Sequence, residues 1–408
     1  MTAQSEMTAD VVVVGLGAWG SQALWRLAAR GIDVIGIERF GIGHPMGSTH
    51  GDTRLFRVAC MEHPGLAPVA ERARDLWYDL GDQVGETLIR QTGGLMVGPR
   101  DGHVVSGTLA AAEAAGLDVE IIEHDDLIAR VPQYAGLDAA DIGVWDPGAG
   151  VTYPEKGVRA AVSAASKVGA RVLTDTRVTD IVYAEDGATV TANGMTVHAN
   201  QVVLTAGAWM PDFIDRQLVA RRTPLFWFEG ENATATEPGG DFDLDAFPVF
   251  IRELPGGKSL WGHGARKIGD ENYAVKVGME DLGYNFSDTL ADEVDRYIHP
   301  AADYGELSVL VARAFPKLTS VPAKAISCMV TNSLDRQFLV GRIKENPRLI
   351  VGAGDSGHGF KHAPAIGELL AQIATGEEPF GDISFMDPNR DFDVANSWHP
   401  SDLHAASA

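Results

Sequence analysis

Residues 10–38 read DVVVVGLGAWGSQALWRLAARGIDVIGIE, and this stretch decides the fold. Val11 to Val14 form an unbroken apolar run, the pattern of a parallel strand buried on both faces. The run leads into Gly15-Leu16-Gly17-Ala18-Trp19-Gly20, a G-x-G-x-x-G turn. A helical pattern follows, with Leu24, Leu27 and Ala28 on one face and Gly31 placed as a stop. A second apolar strand, Val34 to Ile37, ends at Glu38. Glycines at these positions permit a tight turn and close approach to a pyrophosphate, whose charge then sits at the helix N-terminus. Glu38 lies 23 positions after Gly15, where a carboxylate accepts hydrogen bonds from a ribose 2′-hydroxyl. A bare glycine pattern is common, but strand, turn, helix, strand and acid in order specify a dinucleotide site. The acid disfavours a 2′-phosphate, which places FAD or NAD ahead of NADP.

The chain of 408 residues is too long for one compact domain and predicts two. Its 33 basic and 56 acidic side chains give a net charge of −23, which argues against nucleic-acid or anionic-membrane partners. The polar opening MTAQSEMTAD lacks a signal-peptide layout, and no apolar run approaches membrane-spanning length. Cys60 and Cys328 are the only cysteines, too few for a disulfide framework. These features predict a cytoplasmic protein with no metal site.

Beyond the opening unit, helical spacing recurs over residues 66–80, 104–115, 155–168 and 363–376. Strands are predicted at 92–99, 142–145, within 171–204 and at 349–351. Between about 222 and 324, PVFIREL, KSLWGHG and NYAVKVGM alternate with Pro-Gly-Gly and polar turns, as in an antiparallel sheet. A helix capped by Ser287 or Asp288 is expected after them. The predicted fold class is therefore α/β: a Rossmann-like domain for FAD or NAD with an inserted α+β substrate domain built on an antiparallel sheet. The first would comprise 1–90, 150–220 and 325–408, and the second 91–149 and 221–324.

Six stretches taken together carry a family resemblance. They are Gly15 to Gly20 with Glu38, HGDTRLFR (50–57), LTAGAW (204–209), Lys276 within AVKVG, CMVTNSLDRQF (328–338) and GDSGHGFK (354–361). In order and approximate spacing they resemble the family of monomeric sarcosine oxidase and N-methyltryptophan oxidase, flavoenzymes that oxidise amines. A lone cysteine in such a chain is ordinarily a small buried hydrophobe. The resemblance instead implies that Cys328 bonds covalently to the 8α-methyl of FAD, and it gives Cys60 no role. It implies that Arg57 and Lys361 hold a substrate carboxylate, chemistry that suits arginine's paired donors, although single basic residues more often make surface ion pairs. It implies that Lys276 stabilises charge developing on dioxygen, although a mid-strand lysine commonly points to solvent. His50 and Arg54 match residues that lie against the flavin ring. Arg39, Ser48, Thr49, Gly207 and Trp209 fall to the cofactor, as does Val178, whose backbone matches an adenine contact. Gly357, His358, Gly359, Phe360 and Lys361 match the loop at the pyrimidine end of the flavin.

Three positions depart from the sarcosine-specific pattern. Val330 replaces a tyrosine two positions after the cysteine, Trp261 replaces another aromatic, and Glu280 replaces a pocket histidine. Facing the pocket, Glu280 would suit a cationic or hydroxyl-bearing side chain; facing solvent, it would be one more acid. The resemblance implies an FAD-dependent oxidase of a secondary amine, an N-methyl or cyclic amino acid, acting by hydride transfer, imine hydrolysis and reoxidation by O2. It also implies a monomer. The rivals are a dehydrogenase with another acceptor, which Lys276 disfavours, and an idle nucleotide-binding protein, which the joint presence of Cys328, Arg57 and Lys361 disfavours.

Overall fold

A computed structural model describes residues 6–269, 272–280 and 287–391. Its first sheet is organised by the strand Glu6–Val14, which pairs in parallel with Val34–Ile37 on one side and Met195–Leu204 on the other. Arg171–Leu173 and Asn346–Ala353 extend the parallel set at its two ends. The strand's side chains alternate between two layers. Val11 and Val13 join a core with the helices Ala18–Ala29, Leu66–Val84, Pro154–Lys167 and Ala363–Thr375. Val12 and Val14 join a core with the antiparallel strands Val178–Ala184 and Gly187–Ala192. Burial on both faces is why the valine run carries no polar alternation.

The helices follow the predicted apolar stripes. In the second, Leu66, Val69, Ala73, Leu76 and Leu80 are all buried, and Gly85 ends it with φ 72°. The helix expected after residue 287 is a correction. Ser287–Thr289 is a short strand paired with Arg222 to Ala220, and Asp288 accepts from Arg221 instead of capping a helix. Helix begins only at Pro300, whose fixed φ suits a first helical position.

The second sheet has nine strands, in order Ser287–Thr289, Leu218–Phe228, Asn272–Glu280, Lys258–Ile268, Val249–Leu254, Gly94–Pro99, Asp141–Asp146 and Glu120–Ile122, with Lys324–Ser333 also pairing Leu218–Phe228. It is antiparallel except where Gly94–Val97 runs parallel to Val249–Arg252. The boundary expected at residue 325 falls inside a strand of this sheet, since Lys324–Ser333 pairs with Leu218–Trp227 residue for residue. A small third sheet (Arg54–Phe56, Ile89–Gln91, Gly150–Thr152) carries Arg54 and leads directly to Arg57. Among the described residues no helix is long and apolar enough to cross a membrane, and no group of acids, histidines and cysteines could hold a metal.

Candidate active site

The opening turn is shaped by two close backbone approaches. A Cβ on Gly20 would lie 1.8 Å from the Gly15 carbonyl oxygen, and one on Gly15, at φ +89°, 2.6 Å from that of Thr205. Gly17 caps the helix without a side chain of its own; the first helical amide, Ala18, donates to Thr49 Oγ1 (3.2 Å), and Gly17, Ala18 and Trp19 bring the positive end of the helix to the cavity wall. The Glu38 carboxylate tightens the turn, accepting from the Leu16 amide (2.8 Å) and the Phe40 amide (3.0 Å).

A cavity of about 660 Å³ opens from this turn. Gly15, Gly17, Glu38, Arg39, Ser48, Thr49, Val178, Gly207 and Trp209 all line it. Gly20 is buried behind the turn and does not line it. Arg39 stacks over Phe40 and Trp209 and donates to Asp292, which also accepts from Trp209 Nε1 at 2.7 Å. Val330, Gly357, Gly359 and Phe360 also line it. A cavity that takes in a helix N-terminus, an acid and several glycines, within the usual size of ligand pockets, fits a dinucleotide with an attached ring system.

A second cavity of about 270 Å³ adjoins it. Arg54, Val330, Gly357 and Phe360 line both, so the two meet there. The second cavity is lined by Arg57, Lys361, His358, Trp261, Glu280 and Cys328. Glu280 lines this cavity and is solvent-exposed; desolvation by the surrounding protein, with repulsion from Glu62, raises its pKa. Cys328, 1% exposed, lies 3.8 Å from the Arg54 guanidinium and 3.7 Å from the Ser48 carbonyl oxygen. Burial raises its thiol pKa, with Arg54 opposing.

Three placements depart from simple expectation. Lys276, 1% exposed, lines neither cavity; its Nζ donates to the carbonyls of Gly51 and Thr53, each at 2.8 Å. Burial pushes its pKa well below the ordinary value, and Arg54 adds to this. His50 also lines neither cavity; it is buried with its Nε2 unpaired, and burial with neighbouring Arg54 lowers its pKa to about 3. The Gly357 amide donates to Asp355 Oδ1 (3.0 Å) and the His358 amide to the Asp355 carbonyl (2.9 Å), so both donors are spent within the loop.

Glu62 was not singled out by the sequence. Its Oε1 accepts from Arg57 (2.8 Å) and from Lys361 (2.9 Å), while Oε2 is buried without a partner. Burial alone would raise its pKa, but Lys361 and Arg57 hold it well below the carboxylate range. The chain thus supplies its own carboxylate to the two cations expected to bind one. The only sequence signal was an acid five positions after Arg57. Asp355, its pKa raised to about 6 by burial, was also missed within its glycine-rich loop.

The family model described as FAD dependent oxidoreductase matches residues 10–373. Monomeric sarcosine oxidase of Bacillus sp. (strain B-0618) is 30% identical over 393 residues, covering 93% of this chain and 96% of that protein. N-methyl-L-tryptophan oxidase of Salmonella heidelberg (strain SL476) is 27% identical over 379 residues, with 93% and 98% covered. The solved structure of NikD, described as an unusual amino acid oxidase essential for nikkomycin biosynthesis, superposes with a TM-score of 0.79 at 22% identity, covering 96% of this chain and all of that one.

Proposed function

The chain belongs to the FAD dependent oxidoreductase family, and from that premise we propose that it is an oxidase of secondary amines bearing a carboxylate, N-methyl or cyclic amino acids. The carrying observation is the junction at Arg54, Val330, Gly357 and Phe360, where a dinucleotide-sized cavity meets a small one furnished with Arg57 and Lys361. In the overall reaction the amine gives up two electrons and two protons and becomes an imine, which water hydrolyses. Dioxygen takes up both electrons and both protons and leaves as hydrogen peroxide.

Gly15, Gly17, Glu38 and Val178 would hold FAD, which when bound would supply the two-electron acceptor. Arg57 and Lys361 present their donors to the substrate carboxylate, which displaces Glu62 from them. The exchange of one carboxylate for another keeps the buried charge balanced and lowers the cost of binding. Trp261 and Val330 bound the side-chain space, and Glu280 offers a hydrogen-bonding partner to a polar side chain. Lys276 places a cation behind the 51–53 turn, where developing negative charge is stabilised with little solvent screening. Arg54 adds a second. Cys328, at the wall of the small cavity, is the attachment point for a covalent flavin. The reading includes a cytoplasmic monomer whose nucleotide unit and substrate unit divide near the boundaries of the two sheets.

The experiment is aerobic incubation with a panel of N-methyl, cyclic and primary amino acids, following oxygen uptake and peroxide, and, on a separate sample, acid precipitation to see whether yellow colour stays with the pellet. Peroxide in step with oxygen uptake, and colour retained by wild type but released from Cys328→Ser, support the proposal. Uptake of FAD without oxygen consumption for any amine opposes it.

A further inference from the structure

Lys276 is buried and, among the described residues, no carboxylate lies in its hydrogen-bonding shell: its ammonium donates to Gly51 and Thr53 carbonyls and lies 5.0 Å from the Trp227 ring centroid. A buried ammonium held only by neutral groups is costly, so the origin of its compensating charge matters. The 51–53 turn supplies the connection. Gly51, at φ +99°, and Asp52, at φ +67°, turn two successive amides to the same side. Both amides donate to Glu155 Oε1, at 2.7 and 3.2 Å. Such a concave pair of N–H groups is an anion site, here filled by a side chain of the chain itself. Glu155 is fixed there by its position in the first turn of the helix Pro154–Lys167.

The peptide between Gly51 and Asp52 is trans, so its carbonyl and its N–H point to opposite sides. Its oxygen faces Lys276 and its N–H faces Glu155. We propose that Glu155 is a counter-charge of Lys276, coupled to it through the polarised 51–52 peptide, and thereby a positioning residue that helps set the proton occupancy of that lysine. An anion on the N–H side enlarges the peptide dipole and strengthens the carbonyl as an acceptor of the ammonium. The coupling is a property of the chain itself; its use, a cation maintained beside the reaction cavity, rests on the oxidase reading.

The rest of the turn is held rigid. His263 Nδ1 faces the Gly264 carbonyl at 2.7 Å and therefore carries the proton, so Nε2 accepts from Thr53 Oγ1 at 2.7 Å. The other charged neighbours have fixed places. Asp52 pairs with Lys324 at 2.7 Å, and Lys324 shares the Trp227 ring at 4.6 Å. Arg54 works against a charged lysine, while Asp52 and the Cys328 sulfur, when ionised, favour it. His50 and His263 are both lowered to about 3 and stay neutral across the working range. Glu155 is thus the carboxylate whose removal changes charge without disturbing another ion pair.

The test is titration of the lysine Cε–Hε signals by NMR in the isotope-labelled holoprotein, where nine lysines make a tractable set and Lys276→Met assigns the signal. Gln at 155 keeps an oxygen to accept both amides but loses the charge. In Glu155→Gln the Lys276 midpoint should fall by about one pH unit, with Glu155→Asp recovering most of it and the other lysines unmoved. In wild type, the Asp52 amide proton should shift with the same midpoint as Lys276. An unmoved Lys276 midpoint in a folded Glu155→Gln protein would overturn the coupling. So would an Asp52 amide in wild type that is indifferent to Lys276, a result available even if the variant does not fold. Neither readout requires turnover, so failure of the oxidase reading would leave both interpretable.

Discussion

The two cavities are constructed from different materials. The larger is organised by backbone: a turn in which Gly15 and Gly20 leave no room for a Cβ, a helix N-terminus, and an acid that binds the turn it follows. The smaller sets charged side chains, among them Arg57, Glu62, Glu280 and Lys361, beside apolar ones such as Ile251 and Trp261, from segments that meet only in the folded chain. Backbone sites have few chemical alternatives, so they tolerate little change. Side-chain sites can be rebalanced, and this one already is, since Glu62 satisfies the cations that a substrate would use. The comparison predicts that substitutions in the cradle threaten the fold, whereas those in the small cavity alter affinity and pH response.

The largest effect should come from Gly20→Ala, whose Cβ would meet the Gly15 carbonyl oxygen at 1.8 Å. We expect a loss of about 4 kcal/mol or more and protein purified without flavin; a yellow variant with an unchanged melting temperature would break the contrast. Next is Arg57→Ala, expected to reduce kcat/KM for a carboxylate-bearing amine by about a hundredfold, roughly 3 kcal/mol, with flavin content unchanged. Equal losses for the carboxylate-free analogue would remove Arg57 from carboxylate binding.

Glu62 sharpens the same contrast through pH. Its folded pKa lies below the ordinary 4.5, so its contribution to stability is complete above about pH 4.5 and is lost as pH falls through the folded value. Glu62→Gln should flatten the acid limb of a denaturation series and cost about 3 kcal/mol at neutral pH, because two buried cations lose their partner. Lys276 gives a slope of the same sign in a higher pH window. A base whose folded pKa is depressed binds fewer protons in the native state, so stability rises with pH between its folded value and 10.5. Lys276→Met should remove a slope of up to about 1.4 kcal/mol per pH unit there. The smallest effect is assigned to Glu280→Gln: about a tenfold change in preference between polar and apolar side chains, roughly 1.4 kcal/mol, with stability unaltered. Equal kcat/KM ratios for the two proteins would place Glu280 outside recognition.

The difference between the cavities also explains what the sequence made legible. The strand of valines, the glycine turn and Glu38 are local, and local periodicity specified strand, helix and strand where the structure has them. The parallel register of Gly94–Val97 with Val249–Arg252 was not readable, because it depends on pairing between segments more than a hundred residues apart. The expected helix at Ser287 failed because Asp288 looks like a cap but serves Arg221 across a strand pair. Family resemblance brought Arg57, Lys361 and Cys328 to notice, yet not Glu62 or Glu155. An acid that neutralises a distant cation carries no periodic or motif signal; only its contacts disclose it.

The most direct test of the central claim is anaerobic mixing of the flavin-loaded protein with an N-methyl amino acid and, separately, with the same amine lacking its carboxylate, following the flavin absorbance. The account predicts rapid bleaching by the first and much slower bleaching by the second, with the difference abolished in Arg57→Ala. Flavin left fully oxidised by every N-methyl and cyclic amino acid tried, or bleached equally fast with and without the carboxylate, would contradict it.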